Sequence, residues 1–213
     1  MTAQLYCFGE SGNAYKAALT LQLSGYDWAP VWVDFFHGGA RTPDFLTLNE
    51  MGEAPVLVEG DLTLTQSCVI QLHVAERTDR LLNGDRNEIL RWMFWDAQKG
   101  SGQQGTLRFL MNFLPEEKRP QKAIQWLSGR VHTALATLER HLTGRDWMVG
   151  SAPTLADTAC CGYLFYPEPW GFDRKALPAI DRWLSNIEAL PGWKHPYDLM
   201  PGKPSDRGWT PPA

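Results

Sequence analysis

Apolar and polar positions recur along this chain in two different rhythms, and the change between them divides it. Gln4 to Phe8 reads as a short mixed strand, and Gly9-Glu10-Ser11-Gly12-Asn13 as a turn. From about Ala14 to Ser24 the apolar Ala14, Ala17, Ala18 and Leu21 keep helical spacing, closed by Gly25. Trp28 to Val33 is a second strand, so the opening β-α-β predicts a parallel pair with a right-handed crossover. Phe35 to Ala40 reads as loop, and Thr42-Pro43 as the cap and first position of a short helix to about Thr47. Val56 to Val58 and Leu62 to Leu64 are strands about a Gly60-Asp61 turn, and Gln66-Ser67 opens a helix toward Glu76. By about Thr78 the order is βαβ-α-ββα.

Asp79 to Asp85, with its Asn83-Gly84, reads as a linker, and after it the pattern is helical only. Residues 1–78 are thus expected to form one domain and 86–213 an all-α second one. Glu88 to Phe113 is one long, aromatic-rich stretch. Ala123, Ile124, Leu127, Val131, Leu135, Leu138 and Leu142 keep a helical apolar spacing. Thr154-Leu155-Ala156-Asp157 has the form of a capping box, and Pro178 to Leu190 makes one more helix, ended by Pro191-Gly192. The remainder to Ala213 shows neither helical nor strand period.

Composition narrows the chemistry. A chain of 213 residues with 44% hydrophobic and 21% charged residues is long enough to bury a core and has an ordinary globular balance. Its net charge of -4 and lack of a long basic run give no electrostatic case for nucleic acid. No apolar run approaches the ~20 residues of a membrane helix. The opening Met1-Thr2-Ala3-Gln4 lacks the features of a secretory signal, so a cytoplasmic location is expected. Cys7, Cys68, Cys160 and Cys161 form no CxxC, and the five histidines no HxxxH, so no metal site is expected.

One stretch points to a ligand. Proline at a strand's first position cannot donate to the ladder, so Pro55 leaves the N–H and C=O of Ala54 outside regular pairing. Those groups suit an extended peptide laid alongside. The helix opening at Ser67 offers unpaired N–H groups and a partial positive charge, which suit a carboxylate. A small anionic peptide, held at Ala54 and Ser67, fits both.

Four local motifs, in order, carry a family resemblance. Asn49-Glu50-Met51-Gly52-Glu53-Ala54-Pro55-Val56-Leu57 is similar to the asparagine-x-x-glycine-x-valine-proline loop of the soluble glutathione transferases, whose proline is cis. Leu64-Thr65-Gln66-Ser67-Cys68-Val69-Ile70 resembles their glutamyl-binding motif, Thr154 to Asp157 their helical capping box, and Leu177-Pro178 with Leu190-Pro191-Gly192-Trp193 the ending of many bacterial members. The resemblance implies an α/β thioredoxin-like N-terminal domain followed by an all-α domain. It implies glutathione as co-substrate, its cysteinyl backbone on Ala54 beside Pro55 and its γ-glutamyl group on Gln66 and Ser67. It also implies a homodimer.

The same resemblance makes Ser11 the expected catalytic residue, donating its hydroxyl to the glutathione sulfur, as in the serine-type enzymes. Asn13 is the competing donor, an N-cap role alone is the structural alternative for Ser11, and Tyr6 is a third possibility of uncertain direction. Cysteine-type members carry their nucleophile at about Gly12, from which this chain departs, and its own cysteines read as packing. Glu53 departs too, since relatives often have lysine or glutamine there, facing the glycine end of glutathione. Either Glu53 turns to solvent, or Arg41 or His37 supplies the positive contact. The electrophile is expected near Phe8, Arg108, Phe109, Tyr163 and Tyr166, although aromatic residues at helical spacing are commonly core. Conjugation is the leading function. Glutathione-dependent reduction of peroxides or disulfides and a non-catalytic binding module are the rivals.

Overall fold

The structure, a computed structural model, describes residues 2–202 and divides into two compact units. The first comprises 2–81 and 191–202, the second 82–190. Residues 203–213, the end of the unpatterned tail, lie outside the described residues.

In the first unit the strands are β1 (Ala3–Cys7), β2 (Trp28–Trp32), β3 (Val56–Glu59) and β4 (Leu62–Thr65), in sheet order β2-β1-β3-β4. β1 runs parallel to β2 and antiparallel to β3, and β3 antiparallel to β4. This is the thioredoxin-like βαβ-α-ββα arrangement, with helices α1 (Gly12–Leu23), α2 (Pro43–Leu48) and α3 (Ser67–Thr78). β1 shows why the sheet holds. Ala3, Leu5 and Cys7 are fully buried on one face, while Gln4 is exposed and Tyr6 half-buried. Tyr6 packs on the opposite side, against the cluster of Val33, Ala40, Phe45 and Val56. α1 and α3 lie together, joined by Gln71 Nε2 donating to Thr20 Oγ1 at 3.0 Å in the interior. As the Thr42-Pro43 pair predicts, Thr42 caps α2 by accepting from Phe45 N–H at 3.3 Å.

The second unit holds α4 (Arg86–Lys99), α5 (Ser101–Asn112), α6 (Gln121–Leu142), α7 (Leu155–Cys160) and α8 (Pro178–Glu188). The expected long stretch of 88–113 is two helices. Asp96 breaks it: its carboxylate accepts Ser101 N–H at 3.2 Å and Ser101 Oγ–H at 2.8 and 3.0 Å, capping a new helix. A Cβ at Gly100 would run into that carboxylate, so glycine is needed at the break. On α6, Leu127, Val131, Leu135, Leu138 and Leu142 are buried along the expected stripe, each worth about 1.5–3 kcal/mol of apolar transfer.

The capping box is present. Thr154 N–H and hydroxyl donate to Asp157 Oδ2 at 2.7 and 2.9 Å, while Oδ1 accepts from Met148 N–H and Trp183 Nε1, both at 2.8 Å. Burial raises the Asp157 carboxyl above the usual carboxylate range, and these four donors offset only part of that rise.

Two expectations change at the end of the chain. Residues 191–202 belong to the first unit, whereas the sequence grouped them with the second domain. They are fastened there by Gly9 N–H donating to Pro201 O at 2.6 Å and Tyr15 Oη–H to Lys194 O at 3.0 Å. Within them lies a short helix, α9 (Pro196–Leu199), capped by His195 Nδ1 accepting from Tyr197 N–H at 3.3 Å.

Candidate functional site

The sheet registers bring three loops to one end of the first unit. Tyr6 pairs with Val56, and Val56 with Thr65. The chain leaving β1 toward Ser11, the chain entering β3 through Ala54-Pro55, and the chain leaving β4 into Gln66-Ser67 therefore emerge side by side. β2 ends there as well, Trp32 opposite Cys7, and leads into the 34–41 segment. That segment, read as loop, forms two short 3-10 turns, Phe35–His37 and Gly39–Arg41.

Ser11 is the N-cap of α1, 7% exposed, its Oγ accepting Ala14 N–H at 3.1 Å. That bond uses a lone pair. The hydroxyl hydrogen meets no acceptor among the described residues, so capping and donation to a ligand are compatible in one side chain. The first main-chain bond of the helix runs from Tyr15 N–H to Ser11 O at 2.9 Å, ahead of which the N–H groups of Gly12 and Asn13 have no backbone partner among the described residues. Asn13 itself is half-buried in the first turn of α1.

The Ala54–Pro55 peptide is cis. Pro55 is buried and Ala54 half-buried, ahead of β3, and no described residue bonds the N–H or C=O of Ala54 through its backbone. The preceding loop is built by Asn49, 4% exposed, whose Oδ1 accepts Met51 N–H at 3.1 Å and whose Nδ2 donates to Glu53 O at 2.7 Å. Gly52 closes the turn at φ +63°, and a Cβ there would lie 2.5 Å from Arg41 Nη1 and 2.9 Å from Ala40 O. Arg41 uses that space to donate Nη1–H to Met51 O at 3.1 Å. Sequence reasoning placed Asn49 and Gly52 in a motif without giving them these tasks. The asparagine-x-x-glycine spacing was the available signal.

At the mouth of α3, Ser67 is half-buried, and neither its N–H nor its hydroxyl donates to a described residue. Gln66 before it is exposed and has φ 68° and ψ 121°, an uncommon backbone for a residue with a side chain. Its amide lies 3.4 Å from Glu53 Oε2 and 3.3 Å from Met51 Sδ. Glu53 is exposed; of the two cations named as alternatives for the glycine end, His37 is paired with Asp34 at 2.8 Å and Arg41 donates to Met51 O.

The residues expected around the electrophile have different surroundings. In the first unit Phe8 is 8% exposed and stacks on Phe35 with centroids 4.6 Å apart. In the second, Arg108 is an interior residue, 2% exposed, donating to Glu168 at 2.5 Å and lying 3.9 Å over the Tyr166 ring. Tyr163 is buried against Gly105 of α5. Phe109 alone of these is substantially exposed, at 37%.

The chain offers no activated thiol of its own at β1. Burial pushes the Cys7 thiol up to about 12, against a backbone hydrogen bond that lowers it. No group of three metal-ligating side chains occurs among the described residues, and no described helix is long and apolar enough to cross a membrane.

Comparison with known proteins gives a consistent assignment. Residues 1–76 match the model of the glutathione S-transferase N-terminal domain, and 106–191 that of its C-terminal domain. A crystal structure of a glutathione S-transferase from Xanthobacter autotrophicus Py2 is 32% identical, covering 98% of this chain and 100% of that one with a TM-score of 0.85. The glutathione S-transferase GST-4.5 of Xanthomonas campestris is 30% identical over 162 residues, 70% of this chain and 76% of the relative. A protein named disulfide-bond oxidoreductase YfcG, from Escherichia coli, is 25% identical over 194 residues, 86% of this chain and 89% of the relative.

Proposed function

From the premise that this chain belongs to the glutathione S-transferase family, we propose that it joins the thiolate of glutathione to an electrophilic carbon, with Ser11 stabilising the sulfur. The observation that carries this reading is the convergence of Ser11, Ala54 and Ser67 at one end of the sheet, each with hydrogen-bonding capacity left over. An extended tripeptide pairs its cysteinyl main chain with Ala54 and sets its γ-glutamyl carboxylate on the Ser67 hydroxyl and N–H. Its thiol then falls toward the start of α1. Arg41, with donors beyond the one given to Met51, is the cation for the glycyl carboxylate.

A free thiol titrates near 8.5, so only about a few per cent is ionised at neutral pH. The Ser11 O–H and the unpaired N–H groups of Gly12 and Asn13 all favour the anion, by about 1.4 kcal/mol for each unit its pKa falls. The sulfur lone pair forms the new C–S bond, and the leaving group departs with its bonding electrons. Asn13 contributes through its main chain in this scheme.

Conjugation of glutathione to an aryl halide tests the reading. Ser11→Ala should lower kcat/KM at least about tenfold at pH 7, the equivalent of one pKa unit. It should also raise the pH at which the bound thiol's near-ultraviolet thiolate absorbance appears. Equal rates and equal thiolate titration in the two proteins would remove Ser11 from the mechanism.

A second reading is reductive, and the similarity to the Escherichia coli disulfide-bond oxidoreductase favours it. With Cys7 inert, a second glutathione would have to resolve the mixed disulfide formed by the first. Turnover of glutathionyl disulfides or peroxides without turnover of halides would select this reading. A cytoplasmic homodimer is proposed alongside either chemistry, and light scattering at micromolar concentration would give its mass directly.

A further inference from the structure

Glu53 and Gln66 are thirteen residues apart in sequence, yet their exposed side chains meet at the mouth of α3. The Gln66 amide nitrogen is 3.4 Å from Glu53 Oε2 and 3.3 Å from Met51 Sδ. The reverse orientation would set the amide oxygen against a carboxylate oxygen, so the nitrogen faces Glu53. With both N–H groups directed at the 51–53 loop, Gln66 Oε1 is the part of the side chain left to accept from a ligand. Glu53 makes no ion pair among the described residues, so its negative charge is uncompensated there.

A charged and a neutral acceptor therefore lie together, next to the donor set of Ser67. That combination complements an α-amino acid zwitterion, with the carboxylate on the donors and the ammonium on the acceptors. We propose that Glu53 supplies the charge that binds the α-ammonium of the γ-glutamyl group, with Gln66 Oε1 sharing it. This rests on the reading that glutathione occupies the site. It reassigns Glu53 from the glycine end of the ligand to the glutamyl end. The departure at Glu53 then acquires a use: it sets a carboxylate beside Gln66 at the mouth of α3. The positive φ of Gln66 is part of the arrangement, since it turns this residue out of the α3 helical path while its C=O still accepts from Val69 and Ile70.

Calorimetric titration with glutathione and with its des-amino analogue, glutaryl-cysteinylglycine, tests the assignment. A charge-assisted hydrogen bond is about twice as strong as a neutral one. Glu53→Gln should therefore weaken glutathione about tenfold and leave the analogue within about twofold. The exchanged pair, Glu53→Gln with Gln66→Glu, should recover most of the lost affinity. If Glu53→Gln leaves glutathione within twofold, or weakens both ligands alike, the assignment is wrong while the glutathione reading stands. Absence of binding of either ligand to the unaltered protein at millimolar concentration would overturn both.

Discussion

The sheet end of the first unit and the buried Arg108 and Asp157 of the second show polar groups in opposite conditions. In the helical unit Arg108 is 2% exposed and bonded to Glu168, and Asp157 is 1% exposed and accepts four hydrogen bonds. At the sheet end Ser11, Ala54, Ser67 and Glu53 each keep a donor, an acceptor or a charge without a protein partner among the described residues. The difference separates architecture from recognition. A polar group that the fold has saturated can only be lost, at a cost in stability. One left unsaturated at a surface has capacity for a ligand, and its loss should register in binding or rate.

The comparison breaks most visibly at Arg108. Arg108→Met leaves Glu168 buried without its cation and should cost about 3–5 kcal/mol in chemical denaturation. Replacing Glu168 by Leu in the same protein should restore most of that, because the buried charge goes with its partner. Glutathione affinity of the folded single variant should stay within about twofold. A single variant as stable as the parent would show that the pair is not structural, and a large loss of glutathione affinity would blur the distinction.

A smaller effect is expected from Cys7, which lies in β1 of the first unit but is fully buried, unlike the groups at the sheet end. Its folded thiol is raised to about 12 by burial, while the unfolded thiol titrates near 8.5–9. Above pH 9 the unfolded chain therefore binds fewer protons than the folded one, and stability falls as pH rises, until about pH 12. At pH 10 this group accounts for about 1.4 kcal/mol. Cys7→Ala should flatten the alkaline fall by that amount relative to its own value at pH 8. Parallel stability curves for the two proteins would show that the folded thiol already ionises near its ordinary pKa.

What could be read from sequence follows the same division. Strands, caps and the three loops at the sheet end are local: Thr42-Pro43, Thr154 to Asp157 and Ala54-Pro55 each carry their structural meaning within four residues. The helix break at Gly100 was not legible, because Asp96 caps a helix beginning five residues later and no apolar period marks it. Nor was the return of 191–202 to the first unit, fixed by contacts between residues far apart in the chain, such as Gly9 N–H to Pro201 O and Tyr15 Oη–H to Lys194 O. The Glu53–Gln66 contact joins two loops thirteen residues apart, and no local pattern announces it.

The smallest stability effect belongs to Ser11, which stands on both sides of the comparison at once. Its lone pair is committed to Ala14 N–H, and its hydrogen is not committed. Alanine removes both functions, whereas glycine retains most of the helix-start preference without any hydroxyl. Ser11→Ala should therefore cost about 1 kcal/mol of stability and Ser11→Gly a few tenths. If the hydroxyl acts on the thiolate, the two variants should lose conjugation rate equally despite this difference, and the bound thiol should titrate at the same raised pH in both. If Ser11 serves only the helix, rate should follow stability, and Ser11→Gly should retain most of its activity. A pair of denaturation curves with a pair of pH–rate profiles distinguishes the two roles, because the cap and the donor reside on different parts of one oxygen.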